Sequence, residues 1–283
     1  MHDATLERVL SHVPEIRGGE DLSVSPLLGG LTNRNYRVAT DGREYVVRIA
    51  GRNDDLLGID REREVRILRG ASAAGMAPEV VAVCLPEGHL VTRFLGDAQS
   101  FTLEEFHSTE MVPRIAARLR DVHDLPPVQG NFDPYDDIRR WRETILKRNT
   151  PLPRRLDSII ERVERTEPLR ARALEGKKVL CHNDPYYLNW LDDGTLWIID
   201  WEYAGMGDPF YDLAAVAYRS EEDDRDLLLR SYFGEVDPDS RGVLSEMIAV
   251  FLCWNVLWCL LQIGMSEVDY DYQALAGEFL DLV

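Results

Sequence analysis

The sequence predicts an α+β fold in two lobes, a small antiparallel-sheet lobe over residues 1–95 and a mainly helical lobe over residues 96–283. Three observations predict it. Residues 22–50 and 79–95 alternate apolar and polar side chains between tight-turn residues, the pattern of half-buried hairpin strands. From residue 102 onward the apolar positions recur at helical spacing instead. Within that helical half, residues 177–201 return to short strands and polar loops, so carboxylates and amides collect where two lobes would meet.

The elements follow in order. "LSVSPLL" reads as a strand that turns at Gly29-Gly30 into "NYRVAT", and Asp41-Gly42 is a hairpin turn into "EYVVRIA". "DREREVRILRGASAAG" reads as a helix, with Asp60 as N-cap, Val65, Leu68 and Ala71 as an apolar stripe and Gly75 as its stop. "EVVAVCLPEGHLVTRFL" reads as a second hairpin turning at Pro86-Glu87-Gly88. Helices are expected over 102–123, 137–148, 152–173, 209–219, 222–233, 240–263 and 271–282. They are interrupted by "KKVLCHND", "YLNWL" and "TLWIIDW", strands and loops around an Asp192-Asp193-Gly194 turn. The chain has no internal repeat and no low-complexity segment.

Composition bounds the function. The 283 residues are 45% hydrophobic and 29% charged, ordinary for a soluble globular chain. A net charge of −18, from 32 basic and 50 acidic residues, argues against nucleic acid and anionic membranes, which need a basic footprint. It is compatible with a small cationic substrate, although solubility alone accounts for much acidity. Cys84, Cys181, Cys253 and Cys259 form no CxxC pair and read as reduced thiols of a cytoplasmic protein. The opening "MHDATLERVL" lacks a basic segment followed by an apolar run, so no signal peptide is expected. "MIAVFLCWNVLWCLL", residues 247–261, is shorter than the roughly 20 residues of a membrane span and contains Asn255, so a buried helix is expected and no membrane insertion.

The chemistry concentrates in "CHNDPYYLNW" (181–190) and "IIDWEYAGMGDPFYDLA" (198–214). Asp184 precedes a loop, Asn189 lies five residues on, and Asp200 ends an apolar strand that would pair back beside Asn189. Hard oxygen ligands without His or Cys suit Mg²⁺, which shares its shell with phosphates. Phosphoryl transfer asks for a metal, a base near the acceptor hydroxyl and a cation on the remaining phosphates. Asp184 fits the base, and Asn189 and Asp200 fit the metal ligands. Turn-capping would explain any one of the three, but not the ordered set.

"HND-x4-N" followed by "IDWEYAG-x-GDP-x2-DLA" resembles the choline/ethanolamine kinase branch of the aminoglycoside phosphotransferase superfamily, and the likeness covers nearly the whole chain. Asn183 and the run Trp201-Glu202-Tyr203 favour that branch over the antibiotic kinases. The resemblance implies a protein-kinase-like fold with an ATP cleft between a nucleotide-binding lobe (1–95) and a catalytic, acceptor-binding lobe (96–283). It implies ATP and Mg²⁺ as cofactors, Asp184 as base, and Asn189 and Asp200 as magnesium ligands. Arg48 then stands where protein kinases place the phosphate-binding lysine, with Glu64 as its ion-pair partner. Gly29, Gly30, Thr32, Asn33 and Asn35 would wrap the phosphates, and Thr92 and Phe94 belong to a connector, "VTRFLGD", that receives adenine on its backbone. His182 and Asp212 resemble a buried pair fixing the catalytic loop, with Asp208 bracing it. Glu202, Tyr203, Tyr211, Trp254, Trp258, Tyr270 and Tyr272 are the candidates for the acceptor pocket. Pro185 departs from the aliphatic residue usual after the base.

The expected activity is therefore transfer of phosphate from Mg-ATP to a small cationic amino-alcohol, choline or ethanolamine. Other acceptors (an aminoglycoside, thiamine, a sugar, homoserine) are the alternative within the same chemistry, and a catalytically silent nucleotide-binding pseudokinase the alternative outside it. The presence of base and both metal ligands together disfavours the last. A homodimer is left open.

Overall fold

The computed structural model describes residues 4–19 and 21–283. Met1–Asp3, which begin the segment read for a signal peptide, lie outside the described residues, as does Glu20.

A helix absent from the expected elements comes first: α1, Ala4–His12. Its Leu6, Val9 and Leu10, with Val13 and Ile16 beyond it, pack on Val38, Tyr45, Val47, Ile49 and Val91 to make a small separate core. The spacing of those apolar residues is that of one helical face. Strands β1 (Ser23–Leu27), β2 (Arg34–Thr40) and β3 (Arg43–Ile49) follow, then the one-turn helix α2 (Asp54–Leu57) and helix α3 (Arg61–Ala73). Asp60 caps α3 by accepting from the Arg63 amide. Strands β4 (Val80–Cys84) and β5 (His89–Arg93) complete a five-stranded antiparallel sheet in the order β1-β2-β3-β5-β4. The apolar side of α3 (Ile67, Leu68, Ala71) faces away from the small core and joins the large one.

The helical half contains β6 (Gln99–Ser100), α4 (Leu103–Phe106), α5 (Met111–His123), α6 (Pro134–Lys147) and α7 (Arg154–Ala173). The single helix expected over 102–123 is two helices. Pro113 in the first turn of α5 cannot donate backward, and Ser108 caps the restart by accepting from the Met111 amide at 3.2 Å. Three short strands carry the polar loops: β7 (Val179–Cys181), β8 (Trp190–Asp192) and β9 (Leu196–Ile198). A fourth, β10 (Gly205–Gly207), pairs antiparallel with β7, while β6 pairs with β8; neither β6 nor β10 is among the expected strands. "YLN" of the expected strand "YLNWL" is instead a 3₁₀ turn, Tyr187–Asn189.

The chain ends with α8 (Pro209–Ala217), α9 (Glu222–Phe233), α10 (Pro238–Gln262) and α11 (Tyr272–Asp281). Helix α10 is long and apolar enough to cross a membrane, but 83% of its most apolar window is buried against the other helices. It is the axis of the large core, with α6, α7, α8, α9 and α11 around it.

Candidate active site

The β8–β9 hairpin sets the metal-ligand candidates side by side. Trp190 is paired with Ile198, and the Ile199 amide donates to the Asn189 carbonyl at 2.9 Å. Asp200 then leaves the strand with φ +65°, a left-handed conformation that a carboxylate residue adopts at some cost. Asn189 Nδ2 donates to the Asp184 carbonyl at 2.8 Å and to Asp184 Oδ2 at 3.0 Å. This fixes the Asp184 side chain and leaves the Asn189 amide oxygen as the candidate ligand atom. Asp184, Asn189 and Asp200 are thus brought into one place.

The electrostatics of that place are lopsided. Burial, then the nearby Asp200 and Glu202 carboxylates, push Asp184 well above the usual carboxylate range. Burial and Glu202 push Asp200 up to about 7. Asp200 Oδ1 is shut away from solvent without a hydrogen-bond partner, and the nearest cation is Arg48 Nη1 at 3.8 Å. An orphaned buried oxygen among carboxylates that raise one another, with only hard oxygen donors, fits a Mg²⁺ ion.

Across from these residues, Arg48 on β3 forms a two-pronged ion pair with Glu64 on α3: Nη1 donates to Oε1, and Nη2 to Oε2 at 2.9 Å. Arg48 is 7% exposed, which rules out a surface charge on a strand edge. Burial alone would lower the basicity of Arg48, but Glu64 raises it; burial would raise Glu64, but Arg48 and Arg61 hold it low. The Arg48 Nε group is buried without a partner.

The glycine segment folds close to this pair. Gly29 adopts φ +106°, and a side chain at Gly30 would collide with the Asn33 carbonyl. Thr32 presses its carbonyl on Gly51 in the same way, and Asn35 lies opposite Arg48 in the β2–β3 register. Asn33 differs from expectation. Its Nδ2 donates to Glu202 Oε2 at 2.9 Å and its Oδ1 accepts from the Gly51 amide at 3.1 Å, so its side chain is engaged inside the protein and not offered to a phosphate. Glu202 likewise faces inward: at 3% exposure, its Oε2 accepts from Asn33 and from Arg61. Thr92 sits on β5 opposite Val46. The Phe94 amide donates to the Glu44 carbonyl at 3.0 Å, so that N–H is not open to an adenine.

The loop-fixing residues act otherwise than as a side-chain pair. Asp212 accepts from the backbone amides of His182 at 2.9 Å and Asn183 at 2.7 Å, while its imidazole partner is His123, at 3.0 Å. The His182 ring instead contacts the Ile199 carbonyl through Nε2 at 3.1 Å and accepts from the Asp184 amide through Nδ1 at 3.3 Å. Burial pushes His182 down to about 4, so the ring is neutral. Asp208 caps α8 through the Phe210 amide and pairs with Arg170 at 2.8 and 2.9 Å. His123, Arg61 and Arg170 carried no sequence signal of their own.

Most of the aromatic candidates form one connected network, with Tyr203 at its junction. Trp258 Nε1 donates to Tyr203 Oη at 2.9 Å, and the Trp258 ring lies edge-on to Tyr272, 5.9 Å between centroids. Tyr272 Oη in turn donates to the Leu31 carbonyl at 2.8 Å, tying the C-terminal helix to the glycine segment. Trp254 bridges that network to the helical core: its ring is edge-on to Tyr203 at 5.0 Å and 4.7 Å from Trp141, and its Nε1 donates to Asp137 at 3.1 Å. Phe132 links Trp254 to Tyr211, whose hydroxyl is buried without a partner. Tyr270 is half exposed and, with Tyr272, lines a pocket of about 400 Å³ on the loop 262–273 rather than the site around Asp184.

Known proteins resemble this chain over most of its length. The chain is 26% identical to Protein LicA of Haemophilus influenzae over 274 residues, covering 89% of this chain and 78% of that one. It is 24% identical to Probable choline kinase 2 of Arabidopsis thaliana, covering 96% of this chain and 88% of the relative. Among solved structures, a choline/ethanolamine kinase family protein from Mesorhizobium loti superposes with a TM-score of 0.77 at 28% identity, over 98% of this chain and 92% of that one. A family model described as the phosphotransferase enzyme family matches residues 23–242, more than three quarters of the sequence, and the chain belongs to that family.

Proposed function

We propose that this phosphotransferase moves the γ-phosphoryl group of Mg-ATP to the hydroxyl of a small amino-alcohol, choline or ethanolamine, in the cytoplasm. The observation that carries the reading is the joining of Asn189 and Asp200 at the open end of one hairpin, with Asp184 held to Asn189, beside the buried Arg48–Glu64 pair. Residues 1–95 form the nucleotide-binding lobe and 96–283 the catalytic, acceptor-binding lobe. Asp184, raised by its surroundings and oriented by Asn189, accepts the proton of the acceptor hydroxyl. Mg²⁺, held by Asn189 and Asp200, neutralises phosphate charge when bound. Arg48, oriented by Glu64, steadies the phosphates with the N–H groups that Glu64 and Gly88 leave free, the unpartnered Nε among them. The glycine segment covers the phosphates through its backbone.

The names of the relatives support the acceptor class: one is a probable choline kinase, another a choline/ethanolamine kinase family protein. A trimethylammonium offers no N–H to bond, so aromatic faces must hold it. Tyr203, Trp258 and Tyr272, linked to one another and to the glycine segment, are the set to do so.

The test is a phosphorylation screen with Mg-ATP over choline, ethanolamine, thiamine, homoserine and kanamycin. Choline or ethanolamine is expected to give the highest kcat/KM. Asp184→Asn is expected to lower kcat by about 10²- to 10⁴-fold with nucleotide affinity nearly intact. Near wild-type turnover in that variant sinks the role of Asp184, and transfer only to kanamycin sinks the acceptor class.

A further inference from the structure

Arg61 has no place in the roles above, yet more carboxylates converge on it than on any residue so far described. It is 5% exposed. Its Nε and Nη2 grip both oxygens of Asp54 at 2.9 and 2.8 Å, and its Nη1 donates to Glu64 Oε2 at 2.9 Å and to Glu202 Oε2 at 3.1 Å. Two features oppose a buried cation here. Removing a guanidinium from water is expensive, and the first residue of a helix meets the positive end of its dipole. Only the three carboxylates offset this. The turn between β4 and β5 is also shaped to the residue. Gly88, at φ +77°, leaves the room that the Arg61 stem fills, and its carbonyl accepts from Arg48 Nη2 at 3.1 Å.

The partners of Arg61 come from opposite sides of the cleft. Glu64 holds Arg48, the phosphate-binding candidate. Glu202 immediately precedes Tyr203 of the acceptor wall and also binds Asn33 of the glycine segment. We infer that Arg61 is a positioning residue that makes nucleotide and acceptor binding interdependent, because one guanidinium fixes both carboxylates and neither can shift without disturbing the other. The inference rests on the roles proposed above for Arg48 and Tyr203.

Two measurements test it on Arg61→Met and Arg61→Lys. The first is calorimetric titration with Mg²⁺ and a non-hydrolysable ATP analogue, with no acceptor present. Arg61→Met is expected to weaken binding by about 5- to 30-fold although Arg61 touches no phosphate, and Arg61→Lys to recover part of it. Unchanged affinity in Arg61→Met overturns the inference whatever the acceptor proves to be. The second is the choline KM measured from low to saturating ATP. The wild-type KM is expected to fall several-fold across that range, and Arg61→Met to flatten the dependence. A wild-type KM that ignores ATP, or an Arg61→Met enzyme that keeps the full dependence, overturns it. Mere loss of folded protein would lower kcat and leave both KM values alone, which also counts against positioning.

Should Arg61→Met fail to fold, Glu202→Gln carries the same two measurements. It preserves the shape of the side chain while removing the charge that faces Arg61, and wild-type behaviour there overturns the proposal. If choline is not phosphorylated at all, the acceptor reading has failed, but the binding measurement still decides the role of Arg61. The KM dependence is then read with the acceptor that the screen identifies.

Discussion

At the scale of single residues, the side chains with unmet hydrogen-bonding capacity mark the site. Asp200 Oδ1 and Arg48 Nε are buried and unpartnered within one cluster of charges, and Tyr211 Oη is another such atom near the aromatic set. Unpartnered atoms also occur elsewhere among the described residues, at Tyr45, Arg63, Arg142 and Arg225, so it is the pairing of an orphaned carboxylate oxygen with an orphaned guanidinium N–H in one charged cluster that singles this place out. Trp258 is the opposite case, because its indole N–H is already bonded to Tyr203. Trp258→Phe is therefore expected to keep an aromatic face but release the Tyr203 hydroxyl. Choline KM should rise about 2- to 10-fold, the scale of a weakened cation–π contact, with ATP KM unchanged. Steady-state kinetics on both substrates checks this; an equal rise in both KM values would return Trp258 to the core. Asp184, Asn189 and Asp200 were legible in the sequence because phosphoryl transfer restricts the residue types and a short hairpin fixes their proximity. Arg61 was not. Within "DREREVR" it looks like any other charge on a helix, and only Glu202, 141 positions away, reveals its burial. The inward turn of Asn33 and Glu202 was hidden for the same reason.

At the scale of elements, one device recurs: Asp followed by Pro opens α6, α8 and α10, through Asp133-Pro134, Asp208-Pro209 and Asp237-Pro238. The carboxylate caps free amides, and proline takes the first helical position, where its missing N–H costs nothing. Reading that pair as the start places α6 and α10 correctly, whereas apolar periodicity alone began both too late, at 137 and 240. The short strands β6 and β10 gave no periodic signal because two or three residues cannot show one. The catalytic loop depends on a contact between elements. Asp212 on α8 holds two consecutive amides after β7 and the His123 ring at the end of α5, and it is fully buried. Asp212→Ala strips three donors of their acceptor at once. It is expected to cost about 2–5 kcal/mol of stability, because each buried amide left without its acceptor costs about 1–3 kcal/mol. Urea unfolding would measure it, and a loss below about 1 kcal/mol would mean that water or another group satisfies those amides.

At the scale of the whole molecule, polar contacts tie the sheet side to the helical side. Arg61–Glu202, Tyr272–Leu31 and Arg52–Glu267 all cross from the sheet side to the helical side, and each touches a residue in or beside the candidate site. The same concentration of carboxylates makes folding stability depend on pH in a predictable direction. Burial and Glu202 push Asp200 up to about 7 in the folded chain, against 3.8 for an unperturbed aspartate. Between those values the folded state holds a proton that the unfolded state has released, so folding takes up a proton and stability falls as pH rises. His182 works the other way, since a folded value of about 4 against 6.5 means that stability is lost as pH falls through that interval. Asp184, pushed well above the usual carboxylate range by burial and by Asp200, adds to the first effect, and the opposing contributions overlap in the intact chain, which is why the informative quantity is a difference. Asp200→Asn carries no titrating group at that position but keeps His182. In chelated, magnesium-free buffer the variant should gain stability relative to the wild type as pH rises from about 4.5 to 7.5, by a melting-temperature difference on the order of 2–6 °C. Above pH 7.5 the gap should level off, because both folded and unfolded Asp200 are then ionised. Adding Mg²⁺ at pH 7.5 should stabilise the wild type and not Asp200→Asn, since a cation bound to the carboxylate replaces the proton. Thermal melts of both proteins across this range decide the matter. A gap that does not change with pH would show that Asp200 is ionised throughout, and equal Mg²⁺ stabilisation of both proteins would move the metal away from Asp200.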